Sequence, residues 1–493
     1  MQKNNTEIKK EDKASSNMLA NLNELLKGRT IIAKGKDNKE LYLVIIEDDN
    51  STKGYALNSS EFTAIIKHKY YECYNDLVNN SSIEQFKELI KVKYHNTSTI
   101  INVAKRVFYE GGVYSYELER DNNTQLVIKD GEAFLGADTT VVFTHPTDYA
   151  DQVIPNLEVE PTELLSYMKK YFRMGDNELK LLTLYLVTSF YGLSISHPIL
   201  VLVGEKGSSK STSLRMLEKL IDPKVSGLTT IPKTSDALDL RLANSYFVTL
   251  DNLSKLSRDV SDTLARAVTG GSTTRRALYQ NTEEIVLNIK ALVAINGVTL
   301  VAKESDLLDR SLILTLQRIP ADEIKTEEEL WADFEEDRSA ILGCCFLILA
   351  QVLSDNEPVV LEEKIRMADF NVACVKVGRA LGWNEEEVSK ILWQNQEVAN
   401  KKTIDEDIVA LAVIELMSKY KSGSCYVNSV SGLLCDLRDV LDSNGIDRYL
   451  LPKLPNHLSN RLSKVASSLK AEYGIEFSIR NAGTFKRITI TKV

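Results

Sequence analysis

The chain has 493 residues, more than one ordinary hydrophobic core accommodates, and this length indicates about three domains. The composition is that of a globular protein, and the formal net charge of −9 excludes a uniformly basic surface while leaving room for local basic faces. The six cysteines show neither Cys-x-x-Cys spacing nor paired histidines, so neither a disulfide framework nor a structural zinc site is expected, and a reducing cytoplasm is the expected location.

The N-terminal third begins with a polar stretch. Residues 1–25 contain no signal-peptide core, which predicts a flexible N-terminus. Residues 26–145 mix short β-type runs such as LYLVIIED with helical patterns such as SIEQFKELIKVKY, which predicts an α+β domain whose role the sequence does not indicate. The apolar stretch 179–195 contains Lys180 and Gly192, so it predicts a buried helix rather than a membrane span, and no membrane partner is expected.

Residues 146–320 begin with a helical lead-in and then alternate strands with helices, which predicts a parallel sheet covered by helices on both faces. Between the strand ILVLV and the helical pattern SLRMLEKLI lies a loop of small residues that ends in Lys-Ser-Thr, the layout of a phosphate-binding P-loop. In such a loop Lys210 reaches the outer two phosphates and the Ser211 hydroxyl holds Mg²⁺.

Ser209 stands where glycine is usual, so the backbone there must accommodate a Cβ atom. The alternative is an ordinary Ser/Gly-rich strand-to-helix loop. The predicted nucleotide-binding residues are Gly204, Glu205, Lys206, Gly207, Ser208, Ser209, Lys210, Ser211 and Thr212.

A second apolar strand, YFVTLDN, ends in Asp251, whose carboxylate is placed to hold Mg²⁺ through water. The next position, where a glutamate base is usual, is Asn252, and an amide can orient water but cannot take its proton. Either hydrolysis is slow, or a carboxylate from elsewhere, such as a neighbouring subunit, fills this role. The alternative is an ordinary apolar strand that ends in aspartate.

Two further polar residues follow apolar elements. The strand IVLNIKALVAIN ends at Asn296, at a strand tip expected to face the γ-phosphate. The short helix VAKESDLLDR ends at Arg310, which suits an arginine finger directed at the nucleotide of a neighbouring subunit. The alternatives are a turn residue at a strand end for Asn296 and a helix-end ion pair between Asp309 and Arg310.

A hairpin with its turn at 280–282 is predicted within TTRRALYQNTEEIVLNIK. Its basic flanks are Arg275, Arg276 and Lys290, and in a ring such an arm would touch a DNA backbone in the central channel. The alternative is solvated charge on a surface hairpin.

The last two segments are a helical one and a mixed one. Residues 321–402 are almost entirely helical, as in a lid that follows a nucleotide-binding core. Residues 403–493 predict helices followed by a hairpin with its turn at 481–484, the layout of a winged helix. The predicted fold class is therefore multidomain α/β: an α+β N-terminal domain, a P-loop core with helical lid and a winged-helix domain.

The order of these parts resembles the AAA+ ATPases. Beyond that, the chain resembles the phage- and island-encoded replicative helicases, and especially the replication-initiator helicases of staphylococcal pathogenicity islands and cassette chromosomes, which are similar to the MCM helicases. The segments that carry the resemblance are FTHPTDYADQV, ILVLVGEKGSSKST, TLDNLSKLS, RRALYQNTEEIVLNIKALVAING, DLLDRSLILTL and RMADF. The resemblance extends from about Phe143 to the C-terminus, and within it a small residue at Ser209 and an asparagine at Asn252 are normal.

The resemblance implies a hexameric ring that hydrolyses ATP with Mg²⁺ at subunit interfaces and moves along DNA, with host replication proteins as further partners. It also implies a lid arginine that contacts the γ-phosphate, with Arg366 as the candidate and Arg338 as the alternative. The winged helix would bind origin duplex, in agreement with eleven basic against six acidic residues from Lys421 onward. The expected contacts are Asn456, Asn460, Arg461 and Lys464 on the recognition helix and Arg480, Lys486 and Arg487 on the wing, each of which is alternatively a solvated surface residue.

The resulting function is an ATP-dependent DNA helicase that initiates replication of a mobile genetic element. The main alternative is an origin-binding initiator that uses ATP as an assembly switch and recruits another helicase. A third interpretation, an AAA+ protein remodeller, predicts no need for the C-terminal domain and no stimulation by DNA.

Overall fold

The chain forms two compact units in the computed structural model. Unit 1 comprises the chain up to Ile154 together with the short segment Asp222–Val225, and unit 2 comprises Pro155–Ile221 and Ser226–Val493. The structure describes residues 18–47, 52–253, 256–276, 284–298, 305–361, 366–405, 407–482 and 485–493.

Unit 1 contains a five-stranded mixed sheet with the order β3-β2-β1-β4-β9. Two helices pack on it, and they present residues at helical spacing, including Phe62, Ile66, Phe86 and Ile90, to a shared core. Side chains cap both helix starts. The elements are β1 (Thr30–Gly35), β2 (Leu41–Ile46), β3 (Thr52–Ala56), α1 (Ser60–Tyr74), α2 (Asn80–Lys93), β4 (Ile100–Ala104) and β9 (Val141–Phe143). This region therefore contains both helices and strands.

A four-stranded antiparallel meander lies between β4 and β9 in the chain. Its strands are β5 (Val107–Glu110), β6 (Val113–Glu119), β7 (Thr124–Lys129) and β8 (Glu132–Gly136). Two of its turns have two residues with positive φ, Gly111–Gly112 and Asp130–Gly131. These are the residue types that the tightest hairpin turns require.

The segment Asp222–Val225 is held in unit 1 by a buried ion pair. The guanidinium of Arg106, which is fully buried, donates from Nε to Asp222 Oδ1 at 3.0 Å. Its Nη2 donates to the carbonyl of Ala150 at 2.9 Å, and the ring of Tyr149 lies 4.1 Å from the guanidinium carbon. The buried charge is thus paired and hydrogen-bonded, as a buried arginine requires.

Unit 2 is built around a parallel four-stranded sheet with the order β11-β14-β10-β15. Its central strands are buried along their whole length, which explains their unbroken apolar sequences. The strands are β10 (Ile199–Val203), β11 (Phe247–Leu253), β14 (Leu292–Gly297) and β15 (Ser311–Thr315). The helices that accompany them are α3 (Leu164–Tyr171), α4 (Asp176–Ser189), α5 (Lys210–Ile221), α6 (Ser235–Asn244), α7 (Arg258–Thr269) and α8 (Ser305–Leu308). The predicted parallel sheet is confirmed, and the buried helix predicted over 179–195 is present as α4, which begins at Asp176 and ends at Ser189.

A hairpin of β12 (Ser272–Arg276) and β13 (Glu284–Asn288) leaves this core. Arg276 pairs with Glu284 in its register, and the predicted turn at 280–282 lies outside the described residues.

A long helix, α9 (Glu327–Ser354), follows the sheet and begins with a capping box between Thr326 and Glu329. Among the described residues, this is the one helix long and apolar enough to cross a membrane, and 61% of its apolar window is buried inside the protein. Two helices continue the predicted helical segment, α10 (Ala368–Ala380) and α11 (Glu385–Asp405).

The edge strand β15 is covered by a side chain of α11. Asn395 Oδ1 accepts the N–H of Ile313 at 3.0 Å, and its Nδ2 donates to the carbonyl of the same residue at 2.6 Å. One amide side chain thereby satisfies both backbone groups that a neighbouring strand would otherwise satisfy.

The C-terminal region forms its own apolar core from three helices and a three-stranded sheet of order β16-β18-β17. The elements are α12 (Ile408–Ser418), β16 (Cys425–Ser429), α13 (Val430–Ser443), α14 (Pro455–Tyr473), β17 (Ile475–Ala482) and β18 (Phe485–Lys492). The predicted helix and hairpin at the end of the chain are therefore present, whereas residues 483–484 of the predicted turn lie outside the described residues.

The edge-strand contact yields a stability prediction. Asn395→Ala leaves a buried N–H and a buried carbonyl of Ile313 without their partner, so we expect the free energy of unfolding of unit 2 to fall by about 2–4 kcal/mol. Denaturant unfolding followed by tryptophan fluorescence measures this loss. Gln394→Ala, on the same helix turn, is the control and should change the free energy by less than about 0.5 kcal/mol. Equal losses in the two variants would contradict the assigned role of Asn395.

Candidate nucleotide-binding site

The loop from Gly204 to Ser209 joins β10 to α5 and turns sharply. Two of its residues have left-handed backbone conformations, Gly207 with φ of 82° and Ser209 with φ of 56°. Glycine adopts this conformation freely, whereas for serine it is strained by the Cβ atom. The serine noted in the sequence therefore occupies a position that glycine would suit better. Lys210, Ser211 and Thr212 follow in the first turn of α5.

Gly204 is required by close packing at the start of the loop. A Cβ atom there would lie 2.5 Å from Ser208 Oγ and 2.9 Å from the carbonyl oxygen of Leu316. Ser208 is buried, and its hydroxyl donates to the carbonyl of Glu205 at 2.9 Å. Glu205 and Lys206 have exposed side chains, so only their backbones contribute to the loop.

The ammonium of Lys210 is folded back over this loop. Its Nζ donates to the carbonyl oxygens of Gly204 at 2.7 Å and Glu205 at 2.6 Å. Burial lowers the pKa of Lys210 from its usual value, while the Asp251 carboxylate acts in the opposite direction. The charge therefore lies beside the loop backbone, where it can neutralise an anion held by the loop N–H groups.

A polar network connects the loop to two strand ends. The Ser211 hydroxyl donates to Asp251 Oδ1 at 2.7 Å, and Asn296 Nδ2 donates to the same oxygen at 2.6 Å. Asn296 Oδ1 in turn accepts the backbone N–H of Asn252 at 2.6 Å. Four residues predicted from three separate sequence motifs thus meet at the carboxyl edge of the sheet, where parallel strands bring their ends together.

Asn252 takes part in this polar network through its backbone N–H and not through its side chain. Its φ of 57° is left-handed, and the pairing of β11 with β14 shifts register between Leu250 and Leu253, which lifts Asp251 and Asn252 out of the ladder. The amide side chain of Asn252 is exposed, and asparagine tolerates this conformation better than most residues do. The sequence did not indicate that Thr229 would support this bulge, yet its carbonyl accepts the N–H of Asp251 at 2.9 Å.

The two arginines predicted to act on phosphates lie together. Arg310 forms an ion pair with Asp306, and its Nη1 donates to the Asp306 carbonyl at 2.7 Å. Arg366 reaches the same Asp306 carboxylate at 3.1 Å and that of Asp309 at 3.5 Å. The alternative ion pair of Asp309 with Arg310 is replaced by this arrangement. Arg338 is buried and pairs with Glu335 at 2.9 Å, so Arg366 is the more accessible lid arginine.

The predicted DNA contacts differ in exposure. Arg275 and Arg276 lie on β12, whereas Lys290 follows β13, is half-buried and runs against Gly270, and burial lowers its pKa. On α14 the side chains of Asn456, Asn460 and Lys464 are exposed, whereas Arg461 Nε donates to Asp407 at 2.8 Å. On the hairpin the side chains of Arg480, Lys486 and Arg487 are exposed.

Arg480 and Arg487 face each other across the hairpin register. Residues directly opposite on neighbouring antiparallel strands point to the same side, and like charges in such positions destabilise the pair. No ion pair joins either arginine to another described residue. The hairpin of β17 and β18 therefore presents two adjacent positive charges at a cost in stability.

No group of three histidine, cysteine or acidic residues that could hold a metal occurs in the described parts of the chain. The oxygen ligands available at the nucleotide loop are the Ser211 hydroxyl and the Asp251 carboxylate. Hard oxygen ligands of this kind suit Mg²⁺, which keeps several of its waters. All six cysteines are free thiols in this structure.

The family model of the actinomycete integrative conjugative element replication protein matches residues 168–390, a range that contains the whole polar network. A search of curated proteins returns no match. Among solved structures, the active helicase Cch of SCCmec type IV is similar over 94% of this chain and 93% of its own, with 11% identity and a TM-score of 0.44. The apo A form of the NrS-1 C-terminal region is similar over 96% of this chain and 98% of its own, with 11% identity and a TM-score of 0.41.

The left-handed serine yields a prediction for the loop. Ser209→Gly removes the strained Cβ atom, so we expect the free energy of unfolding to rise by about 0.5–1 kcal/mol after the entropic cost of glycine is subtracted. Differential scanning calorimetry should show an upward shift of about 1–2 °C in the transition of unit 2. Ser208→Gly is the control: it gains no relief of strain and loses a buried hydrogen bond, so its transition should move down. A downward shift of equal size in Ser209→Gly would refute strain at this position.

Proposed function

We propose that this chain is an ATP-dependent DNA helicase that initiates replication of a mobile genetic element. The observation that carries the proposal is the convergence of Lys210, Ser211, Asp251 and Asn296 at one sheet edge, with distances of 2.6–2.7 Å within the polar network. A P-loop, a carboxylate at the next strand end and a polar side chain on the strand between them are the parts that nucleotide hydrolysis needs.

The residues present fit ATP with Mg²⁺. The close packing at Gly204 brings the backbone into a tight cradle, and the N–H groups of the loop and of the first turn of α5 would surround the phosphates. Lys210 would hold the outer phosphates, while Ser211 and Asp251 would hold the metal. Bound Mg²⁺ neutralises phosphate charge and orients the phosphate oxygens. Asn296 keeps the Asp251 carboxylate in place through its hydrogen bond.

Replication as the process is supported by the matched family, which is that of a replication protein of an integrative conjugative element. A site for duplex DNA on a proposed winged helix is supported by the exposed polar residues of α14 and by the two opposed arginines of the β17–β18 hairpin. The hairpin of β12 and β13 would contact DNA in the channel of a hexameric ring. The proposed helicase would act on DNA in the cytoplasm.

A second candidate is an origin-binding initiator that uses ATP as an assembly switch. It is favoured by Asn252, whose amide side chain cannot accept a proton from the attacking water. A switch needs binding and slow turnover, whereas a helicase needs sustained turnover stimulated by DNA.

The first test is strand displacement from forked DNA with ATP. Lys210→Ala removes the ammonium that would neutralise the phosphates, so we expect ATP turnover and unwinding to be lost while binding of duplex DNA by the full chain persists. Lys233→Ala, an exposed lysine outside the loop, is the control and should unwind normally. Unwinding by Lys210→Ala would refute the helicase proposal. ATP hydrolysis and duplex binding by the unaltered chain without strand release on either fork polarity would establish the switch.

The wing yields a separate prediction. Arg487→Ala removes one of two opposed positive charges, so we expect the free energy of unfolding to stay constant or rise by up to about 1 kcal/mol. Duplex binding should weaken, and the slope of log Kd against log salt concentration should fall by about one unit. Fluorescence anisotropy at several salt concentrations measures both effects. Lys470→Ala removes a charge that is already paired with Glu476, and it should leave the salt slope unchanged. An unchanged slope for Arg487→Ala would exclude a phosphate contact.

A further inference from the structure

Asp306 contacts both arginines for which the sequence predicts a role at phosphates. Its carboxylate pairs with Arg310 and, at 3.1 Å, with Nη1 of Arg366, while its backbone carbonyl accepts from Arg310 at 2.7 Å. These contacts hold the pKa of Asp306 below its usual value, and the hydrogen bond with Arg310 is the largest cause. Asp309, the residue before Arg310 in the chain, is a second carboxylate in this cluster, and it contacts Arg366 at 3.5 Å.

Arg310 is held inside its own subunit. Its side chain is only 13% exposed, and its Nε is buried without a hydrogen-bond partner among the described residues. A guanidinium that acts on the nucleotide of a neighbouring subunit must present its donors at the surface. An unsatisfied buried donor also makes the inward orientation less favourable than a fully bonded one. The unsatisfied Nε therefore lowers the free-energy cost of moving the Arg310 side chain out of this position.

We propose that Asp306 is a positioning residue that holds Arg310 in this inward orientation, and that Arg366 stays with Asp306, instead of contacting the γ-phosphate, when Arg310 turns to a neighbouring subunit. The proposal rests on the proposed trans role of Arg310. Arg366 is 44% exposed and already shares Oδ1 of Asp306 with Arg310, so it needs no large movement to take over the carboxylate. The exchange leaves no carboxylate unpaired, which avoids the main penalty for breaking an ion pair.

The test compares two charge-removing variants. Asp306→Asn abolishes the carboxylate that holds Arg310, whereas Asp309→Asn removes an equal charge from the same cluster, where Asp309 pairs with Arg366 and forms no ion pair with Arg310 among the described residues. We expect Asp306→Asn to reach half-maximal ATPase activity at a protein concentration about two- to fivefold lower than the unaltered chain, the factor that corresponds to loss of a partly exposed ion pair. Asp309→Asn should keep the concentration dependence of the unaltered chain. Asp306→Glu, which restores the charge, should restore it as well.

A mixing experiment separates this proposal from the proposed function. Arg310→Ala supplies intact P-loops and Lys210→Ala supplies intact Arg310, so the mixture should recover ATPase activity if Arg310 acts in trans. Replacing Lys210→Ala by Lys210→Ala/Asp306→Asn should shift this recovery to lower concentration, because Arg310 is then released. If recovery occurs but Asp306→Asn behaves like Asp309→Asn, the positioning role of Asp306 is refuted and the trans role of Arg310 stands. If Arg310→Ala alone hydrolyses ATP normally, the trans role is refuted and the proposal for Asp306 fails with it.

Discussion

The carboxylate of Asp251 joins the structural elements that form the candidate nucleotide site. One of its oxygens accepts from Ser211 at the start of α5 and from Asn296 at the end of β14, at 2.7 and 2.6 Å. Asn296 is almost fully buried, so its two hydrogen bonds fix its orientation and leave little freedom to the carboxylate. One helix start and two strand ends are therefore positioned by one partly buried set of polar contacts rather than by independent ones.

Two residues that depart from the usual motifs follow from backbone conformation. Ser209 and Asn252 both have left-handed φ values, 56° and 57°. At Asn252 the bulge that lifts Asp251 towards Ser211 demands this conformation, and asparagine satisfies it at lower cost than glutamate would. The missing carboxylate is thus compatible with the local geometry: the backbone N–H at this position serves Asn296, and its side chain is directed to solvent.

Much of the site could be predicted from the sequence because each motif is local. The apolar runs before Gly204, Asp251 and Asn296 indicated buried parallel strands, and parallel strands place their carboxyl ends at one edge. Contacts between distant segments could not be predicted in this way. Asn395 satisfies Ile313 across 82 positions, and nothing in its own neighbourhood marks it among the polar residues of α11. The pairing of Arg310 with Asp306 rather than with Asp309 was not predicted, although it has the i, i+4 spacing of neighbours on a helix.

ATP hydrolysis, as proposed for this chain, has three requirements: bound phosphates, an oriented water and a cation that stabilises the developing charge. Different residues would meet each of them. Lys210, Ser211 and Asp251 would hold the phosphates and their metal within one chain. The second is not met beside Asp251, because Asn252 offers no carboxylate and its side chain is exposed. The third requirement, a cation for the developing charge, would not be met by Arg310 while its guanidinium is paired with Asp306 of the same chain. Under the proposed function, nucleotide binding and nucleotide hydrolysis would therefore depend on different sets of residues, and assembly of subunits would be the step that joins them, because it could supply both a carboxylate and a released arginine.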